Sequence, residues 1–309
     1  MLILKIRIVY SYGSGTSYCA EWDKMTNGNC FFVKNNKGLQ LFGESLPFEE
    51  ADYILVINGG MEPRHDLFHK TIFIKMEPVF VDLKWKNVAK WPVFNIYGTH
   101  GVTTEEFLLY DRNKTKSFNA LEWHLNITRY NLLCDSWSVN KTKKNKISAV
   151  ISGKRMSPGH TDRIYFVLFA QNFVDFDVCG NWNSKLIEWN NYLGEPTNKE
   201  SALLPYKYSF ACENHFFDFY VTEKLVDCIL SETLCFYDGA SNVKDLINDQ
   251  AFIKIDVRNP TLSLKIIKKA IKNNEYEKRL PFIKQERKRI IEDLSIIPRL
   301  WRDLLNTDA

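Results

Sequence analysis

Between residues 147 and 257 short apolar runs alternate with amphipathic ones, and that rhythm narrows the possible folds more than any other feature. ISAVISG (147–153) predicts a strand, and TDRIYFVLFAQN (161–172) a helix with Thr161 or Asp162 as N-cap. VDFDVCG (174–180) and YKYSFACEN (206–214) predict two more strands. VTEKLVDCILS (221–231) predicts a helix capped by Thr222, because Val221, Leu225, Cys228 and Ile229 share one face. TLCFYDG (233–239) is the next strand, followed by SNVKDLIND (241–249) and AFIKIDV (251–257). Strands and helices in alternation mean a doubly wound α/β unit.

The first half carries strand-like runs at 6–12, 51–60, 71–77 and 91–98, separated by longer connections. Buried strands so spaced suggest a parallel sheet with crossovers. NKTKKNK (140–146) is polar and basic, and serves equally as a linker or as a solvated loop. From 260 to 306 the chain is helical and basic. Such a tail either packs its Ile and Leu face on the body or lies as an amphipathic helix on a membrane surface. With 309 residues, about two domains are expected. The segments 1–142 and 143–275 form the two α/β halves, and 276–309 a helical tail packing back on the body.

Apolar residues make up 45% of the chain, which excludes disorder as its main state. The net charge of +4 demands no nucleic-acid partner, and none is expected. No run approaches the roughly 18–20 apolar residues of a membrane span. The N-terminal MLILKIRIVYSYG lacks a cleavage site and predicts a first strand. The seven cysteines form no CxxC pair, and Cys179, Cys212, Cys228 and Cys235 lie in apolar runs. Reduced thiols and a cytoplasmic protein are therefore expected, with the sequons at Asn113, Asn126 and Asn140 unglycosylated.

In open α/β sheets ligands bind beyond the carboxyl ends of the strands, near helix N-termini. Lys154 and Arg155 follow the strand at 147, while Arg163 and Lys224 fall in the predicted first turns of two helices. A cation there opposes the helix dipole at a cost of about 0.3–1 kcal/mol. A bound diphosphate would explain both placements. So would an ion pair from Arg163 to Asp162 or a remote acid, with Lys224 pointing into water. Glu213 and Asn214 end a strand, where they suit either sugar hydroxyls or turn formation. Glu77 ends a strand before Pro78, as a general base or an ordinary loop acid. The six histidines have no metal-ligand spacing, and no GxGxxG, Walker A or GxSxG motif occurs. No cofactor or essential metal is expected.

YKYSFACENHFFDFYVTEKLVDCILSETLCFYDG (206–239) resembles the donor-binding motif of the α-1,3/1,4-fucosyltransferases, glycosyltransferase family 10. That family reads Y-K-[FY]-x-[LF]-x-x-E-N, a short variable stretch, then Y-V-T-E-K, an apolar helix and a strand. Tyr206-Lys207-Tyr208, Glu213-Asn214 and Tyr220-Val221-Thr222-Glu223-Lys224 match in order and spacing. The resemblance implies a GT-B-like fold of two Rossmann-like domains facing across a cleft, the first for a glycan acceptor and the second for a nucleotide sugar. It also implies inverting transfer, usually from GDP-fucose. Glu223 and Lys224 would hold the nucleotide, with Lys224 toward the phosphates, and Asn214 and Tyr220 would line the ribose or sugar. Arg163 matches the family's diphosphate-binding arginine, and Glu77, in F-I-K-M-E-P, its catalytic base. Two departures stand out. HFFDF (215–219) is more aromatic than the family's usual small, polar stretch, and the N-terminal half is otherwise dissimilar. The rivals are another donor on the same scaffold, such as UDP-xylose, and a non-catalytic sugar-nucleotide or glycan-binding module.

Overall fold

The structure is a computed structural model describing residues 1–11, 13–26, 30–57, 65–75, 95–98, 115–117, 121, 123, 125, 142–182, 187–218 and 220–305. The first elements are β1 (Leu2–Tyr10), α1 (Gly15–Thr26), β2 (Phe31–Lys34), β3 (Lys37–Phe42), β4 (Tyr53–Ile57), β5 (Thr71–Lys75), β6 (Asn95–Gly98) and β7 (Thr115–Ser117). There follow β8 (Lys144–Val150), α2 (Pro158–Ala170), β9 (Phe176–Cys179), α3 (Lys199–Leu203), β10 (Tyr206–Cys212) and α4 (Glu223–Leu230). The chain ends with β11 (Leu234–Asp238), β12 (Phe252–Lys254), α5 (Pro260–Lys272), α6 (Glu275–Arg289) and α7 (Ile296–Leu305).

The chain divides into two compact units. One comprises Met1–Ala120, Ile127–Asn131 and Ile291–Ala309, the other Leu121–Asn126 and Leu132–Ile290. The stretch expected to form a single tail (276–309) is thus shared, since residues up to Ile290 belong to the second unit and the rest to the first.

In the first unit the strands run in the order β2-β3-β1-β4-β5-β6-β7. All neighbours are parallel except β2 and β3, which form an antiparallel hairpin. That hairpin was not anticipated, although its turn is written in the sequence. Asn35 and Asn36 both take positive φ (53° and 60°), the two-residue turn that asparagine tolerates best. In the centre, Ile8 lies opposite Leu55. Ile6, Ile8, Leu55 and Ile72 pack with Trp22 and with Ile297, Leu300 and Trp301 of α7. Ile54, Val56 and Phe73 form a separate cluster with Phe68.

The second unit carries five parallel strands in the order β9-β8-β10-β11-β12. Tyr208 pairs with Ile147 on one side and Leu234 on the other, so β10 is central. Its Phe210 stacks on Phe166 of α2 at 5.2 Å, and Tyr208 stacks on Phe236 at 5.6 Å. The chain goes from β8 outward to β9, then returns past β8 to β10. Chain direction therefore reverses between the carboxyl ends of β8 and β10, which is where an open α/β sheet forms its ligand crevice.

One boundary in this unit differs from expectation with consequence. Helix α2 begins at Pro158 with Ser157 as N-cap, not at 161 with Thr161 or Asp162. Proline suits the first helical position, since its missing N–H has no helical partner there and its φ is already helical. Arg163 is therefore in the second turn, and the conflict with the helix dipole applies only to Lys224, at the second position of α4. Segment 241–249 and the two residues after it form short turns of 3-10 helix at Val243–Asp245 and Asp249–Ala251. Among the described residues no helix is long and apolar enough to cross a membrane. Cys179, Cys212, Cys228 and Cys235 are buried free thiols, as expected. Cys134 and the three sequons lie outside the described residues.

Candidate functional site

A cavity of about 1020 Å³ opens at this switch point, wholly within the second unit. Its walls are the segment after β8, the first two turns of α2, the end of β10, the start of α4 and residues just before α3. Gly159 allows the close approach of α2 to β10, because a Cβ there would sit 1.9 Å from the Glu213 carbonyl oxygen. Instead the Gly159 N–H donates to the Asn214 carbonyl at 3.1 Å.

Five of the predicted donor residues meet at this cavity: Lys154, Arg163, Asn214, Glu223 and Lys224. Arg163 is only 5% exposed. Its Nη1 donates to Asn214 Oδ1 at 3.2 Å and its Nη2 to Ser152 Oγ at 3.4 Å. Both partners are neutral, and the buried Nε has no hydrogen bond among the described residues. Burial lowers the Arg163 pKa, partly countered by Cys212 and by acids such as Glu213 and Glu223. Among the described residues no carboxylate lies against it, and a buried guanidinium so placed is costly and suited to pairing with an anion.

Lys224 is already paired. Its Nζ lies 3.2 Å from Glu213 Oε2 and 3.2 Å from Glu223 Oε1, and donates to Thr222 Oγ1 at 3.0 Å. Burial would lower its pKa, but the two carboxylates outweigh it and hold the ammonium above lysine's ordinary range. Lys199, at the start of α3, extends the pattern by pairing with Asp227 and lying 4.0 Å from Glu223. Asp227, Lys199, Glu223, Lys224 and Glu213 thus form a ladder of alternating charge, three carboxylates against two ammonium groups.

Two predicted residues stand behind the cavity. Glu213 is fully buried and accepts from the Thr222 N–H (2.9 Å) and Thr222 Oγ1 (2.7 Å), locking the start of α4 to the end of β10. Tyr220 is 3% exposed, with His215 edge-on at 5.8 Å, and does not line the cavity. Glu77 lies outside the described residues. Sequence reasoning missed further cavity residues, His160 and Lys199 among them. Pro158 held the signal for the first, because moving the helix start to 158 brings His160 into the first turn. Lys199 had none, being one more lysine in a polar loop. Among the described residues no group of three or more His, Cys, Asp or Glu could hold a metal.

The model of glycosyltransferase family 10 (fucosyltransferase), C-terminal part, matches residues 139–280. An α1,3-fucosyltransferase solved with GDP is 17% identical, aligned over 96% of this chain and 92% of its own, with a TM-score of 0.54. A glycosyltransferase from Rickettsia africae ESF-5 is 10% identical over 99% of each chain, with a TM-score of 0.55. Anabaena Alr3699/HepE, solved with UDP and glucose, is 10% identical over 98% of this chain and 99% of its own, with a TM-score of 0.54. No curated protein sequence matches the chain. At these identities the solved structures establish a fold, that of the GT-B glycosyltransferases. Together with the motif at 206–239 and the family match around it, the chain resembles glycosyltransferase family 10.

Proposed function

We propose that the chain is an inverting glycosyltransferase that moves a sugar from a nucleoside diphosphate, GDP-fucose first among candidates, to a glycan hydroxyl. The observation that carries this reading is Arg163, a buried cation whose partners among the described residues are both neutral, beside the crevice of a parallel sheet. The acceptor oxygen attacks the anomeric carbon on the face opposite the diphosphate, and its proton passes to a carboxylate base. The bond from that carbon to the phosphate oxygen breaks, its electron pair leaves with the nucleoside diphosphate, and configuration inverts. The transition state is oxocarbenium-like, and negative charge grows on the leaving group. Arg163 supplies net positive charge to it. Lys224, balanced by two carboxylates, supplies directed hydrogen bonds. In the proposed reaction these side chains carry the leaving-group charge without a metal. Glu77 takes the part of the base on the strength of its F-I-K-M-E-P context, two residues past the end of β5.

Calorimetry and thermal shift against GDP-fucose, UDP-xylose, UDP-galactose and UDP-glucose test the donor. GDP-fucose should bind most tightly, and a UDP sugar binding more tightly would replace it. Binding by none of the four would sink the proposal. Hydrolysis of the bound donor without acceptor separates an enzyme from a binding module. Glu77→Ala should abolish turnover at saturating donor while leaving donor affinity intact; near-normal turnover would remove the base assignment.

A further inference from the structure

Ser157 has the extended backbone of an N-cap (φ −147°, ψ 161°), yet its hydroxyl makes no capping hydrogen bond to α2. It is hydrogen-bonded to His160 Nδ1 instead. A serine cap contributes about 1 kcal/mol to a helix, so diverting it needs a reason. The effect is to fix the imidazole, which is 8% exposed and lines the cavity one turn before Arg163. With Nδ1 engaged, Nε2 is the one ring nitrogen left to a ligand, and among the described residues it has no hydrogen bond.

Resting on the reading of the cavity as a diphosphate site, we propose that His160 is a further catalytic residue, which takes up a proton from solvent when the donor binds and gives a hydrogen bond from Nε2–H to the departing diphosphate. The proton balance is separate from that of the sugar transfer. One proton enters from bulk water as the dianionic diphosphate binds and returns to water when the nucleoside diphosphate leaves. The acceptor's proton still goes to the base.

The surroundings of the ring favour this cycle. Burial first, then the charges of Arg163 on its own helix, Lys224 on α4 and Lys154 on the preceding loop, with His215 beyond them, together lower the His160 pKa to about 4. The carboxylates of Glu213 and Glu223 are turned to Lys224. The imidazole is therefore neutral near pH 7 and adds no fourth positive charge to the cluster. An anion placed among these groups reverses the field at the ring and raises its proton affinity. The result is a cation that appears only with the ligand, beside the atoms where charge accumulates.

GDP-fucose and UDP-glucose are suitable probes, since a diphosphate diester has no group of its own titrating near pH 6. Titrating either into the whole protein at about pH 6 in two buffers of different ionisation heat measures proton uptake. Wild type should take up several tenths of a proton per ligand bound, and His160→Asn and His160→Gln should take up none. Turnover of both variants should fall about tenfold or more, the scale of one lost hydrogen bond to a charged group. In the wild type, NMR of the His160 ring should show the imidazolium with ligand and the neutral ring without. Ligand binding with no uptake, or with equal uptake in the variants, overturns the role of His160 and leaves the donor site standing. Failure of both nucleotide sugars to bind overturns the donor site and this role with it.

Discussion

In the proposed function, Arg163 is where function opposes stability. Among the described residues its buried guanidinium meets two neutral acceptors and leaves one nitrogen bare, and burial lowers its pKa, so the charged form is less favourable here than in water. Replacing such a group by an apolar side chain of similar reach removes an unmet desolvation cost. Arg163→Met should therefore melt no lower than wild type in a thermal scan, while kcat/KM falls about 10²–10³-fold, the usual loss for one preorganised electrostatic group. A drop of more than about 2 kcal/mol in unfolding free energy would make the arginine a structural residue instead. Glu213 is the contrasting case. It lies in the motif at 206–239, which Arg163 precedes, but both its oxygens are spent on Thr222 and Lys224, so its work is to hold α4 in place. Their positions near a helix start and a strand end made the two residues look alike as ligands, and only their partners in space separate them.

At the level of elements, each unit has a helix following its first strand, and the two N-termini are treated differently. In the first unit, Glu44 accepts from the N–H groups of Gly15 and Thr16, each at 2.8 Å, and from the Thr16 hydroxyl. The start of α1 thus holds an anion of the protein's own. In the second unit the hydroxyl of Ser157 is turned away to His160, and no acid occupies the first turn of α2. The Thr16 hydroxyl, then the backbone donors, lower the Glu44 pKa from 4.5 to about 2. Because the folded value is depressed, its contribution is fully present above the unfolded pKa and is lost as pH falls from 4.5 toward 2. Glu44→Ala should cost about 1 kcal/mol in urea unfolding at neutral pH, a capping-scale effect since the carboxylate is solvent-exposed. The gap to wild type should close across that acid range, and a gap that persists at low pH would mean Glu44 acts by packing. Such capping by a distant acid is invisible to local patterns, as Glu44 lies 28 residues from Thr16. The strand–helix rhythm of 147–257 was legible because buried parallel strands are near-continuous apolar runs, and Thr222 was correctly read as a cap. The β2–β3 hairpin and the start of α2 were missed because Asn35-Asn36 and Pro158 act through backbone angles, which apolar periodicity does not report.

On the scale of the whole molecule, the C-terminal helices complete both cores. Tyr276 of α6 meets Tyr208 of β10 edge-on at 6.2 Å, and Arg287 pairs with buried Glu232 in the second unit. In the first unit, Ile296, Ile297, Leu300, Trp301 and Leu305 of α7 pack into the cluster around β1. The apolar face of α7 is thereby used in packing, which leaves it nothing to insert into a membrane surface. Trp301 is the anchor. It is 4% exposed, its ring meets Phe32 edge-on at 6.0 Å, and its Nε1 donates to the Lys37 carbonyl at 2.9 Å. Truncation to alanine leaves a large cavity and an unmet carbonyl, at a cost of about 3–5 kcal/mol. Every residue lining the proposed donor cavity belongs to the second unit, which has its own sheet and its own core. Trp301→Ala should therefore lower the unfolding midpoint of the first unit strongly while the calorimetric dissociation constant for GDP-fucose stays within about twofold of wild type, because sites that share no partners are close to additive. A donor affinity that falls in step with that stability would show that the two units do not hold their structure independently, and that the cavity depends on a core that contributes none of its walls.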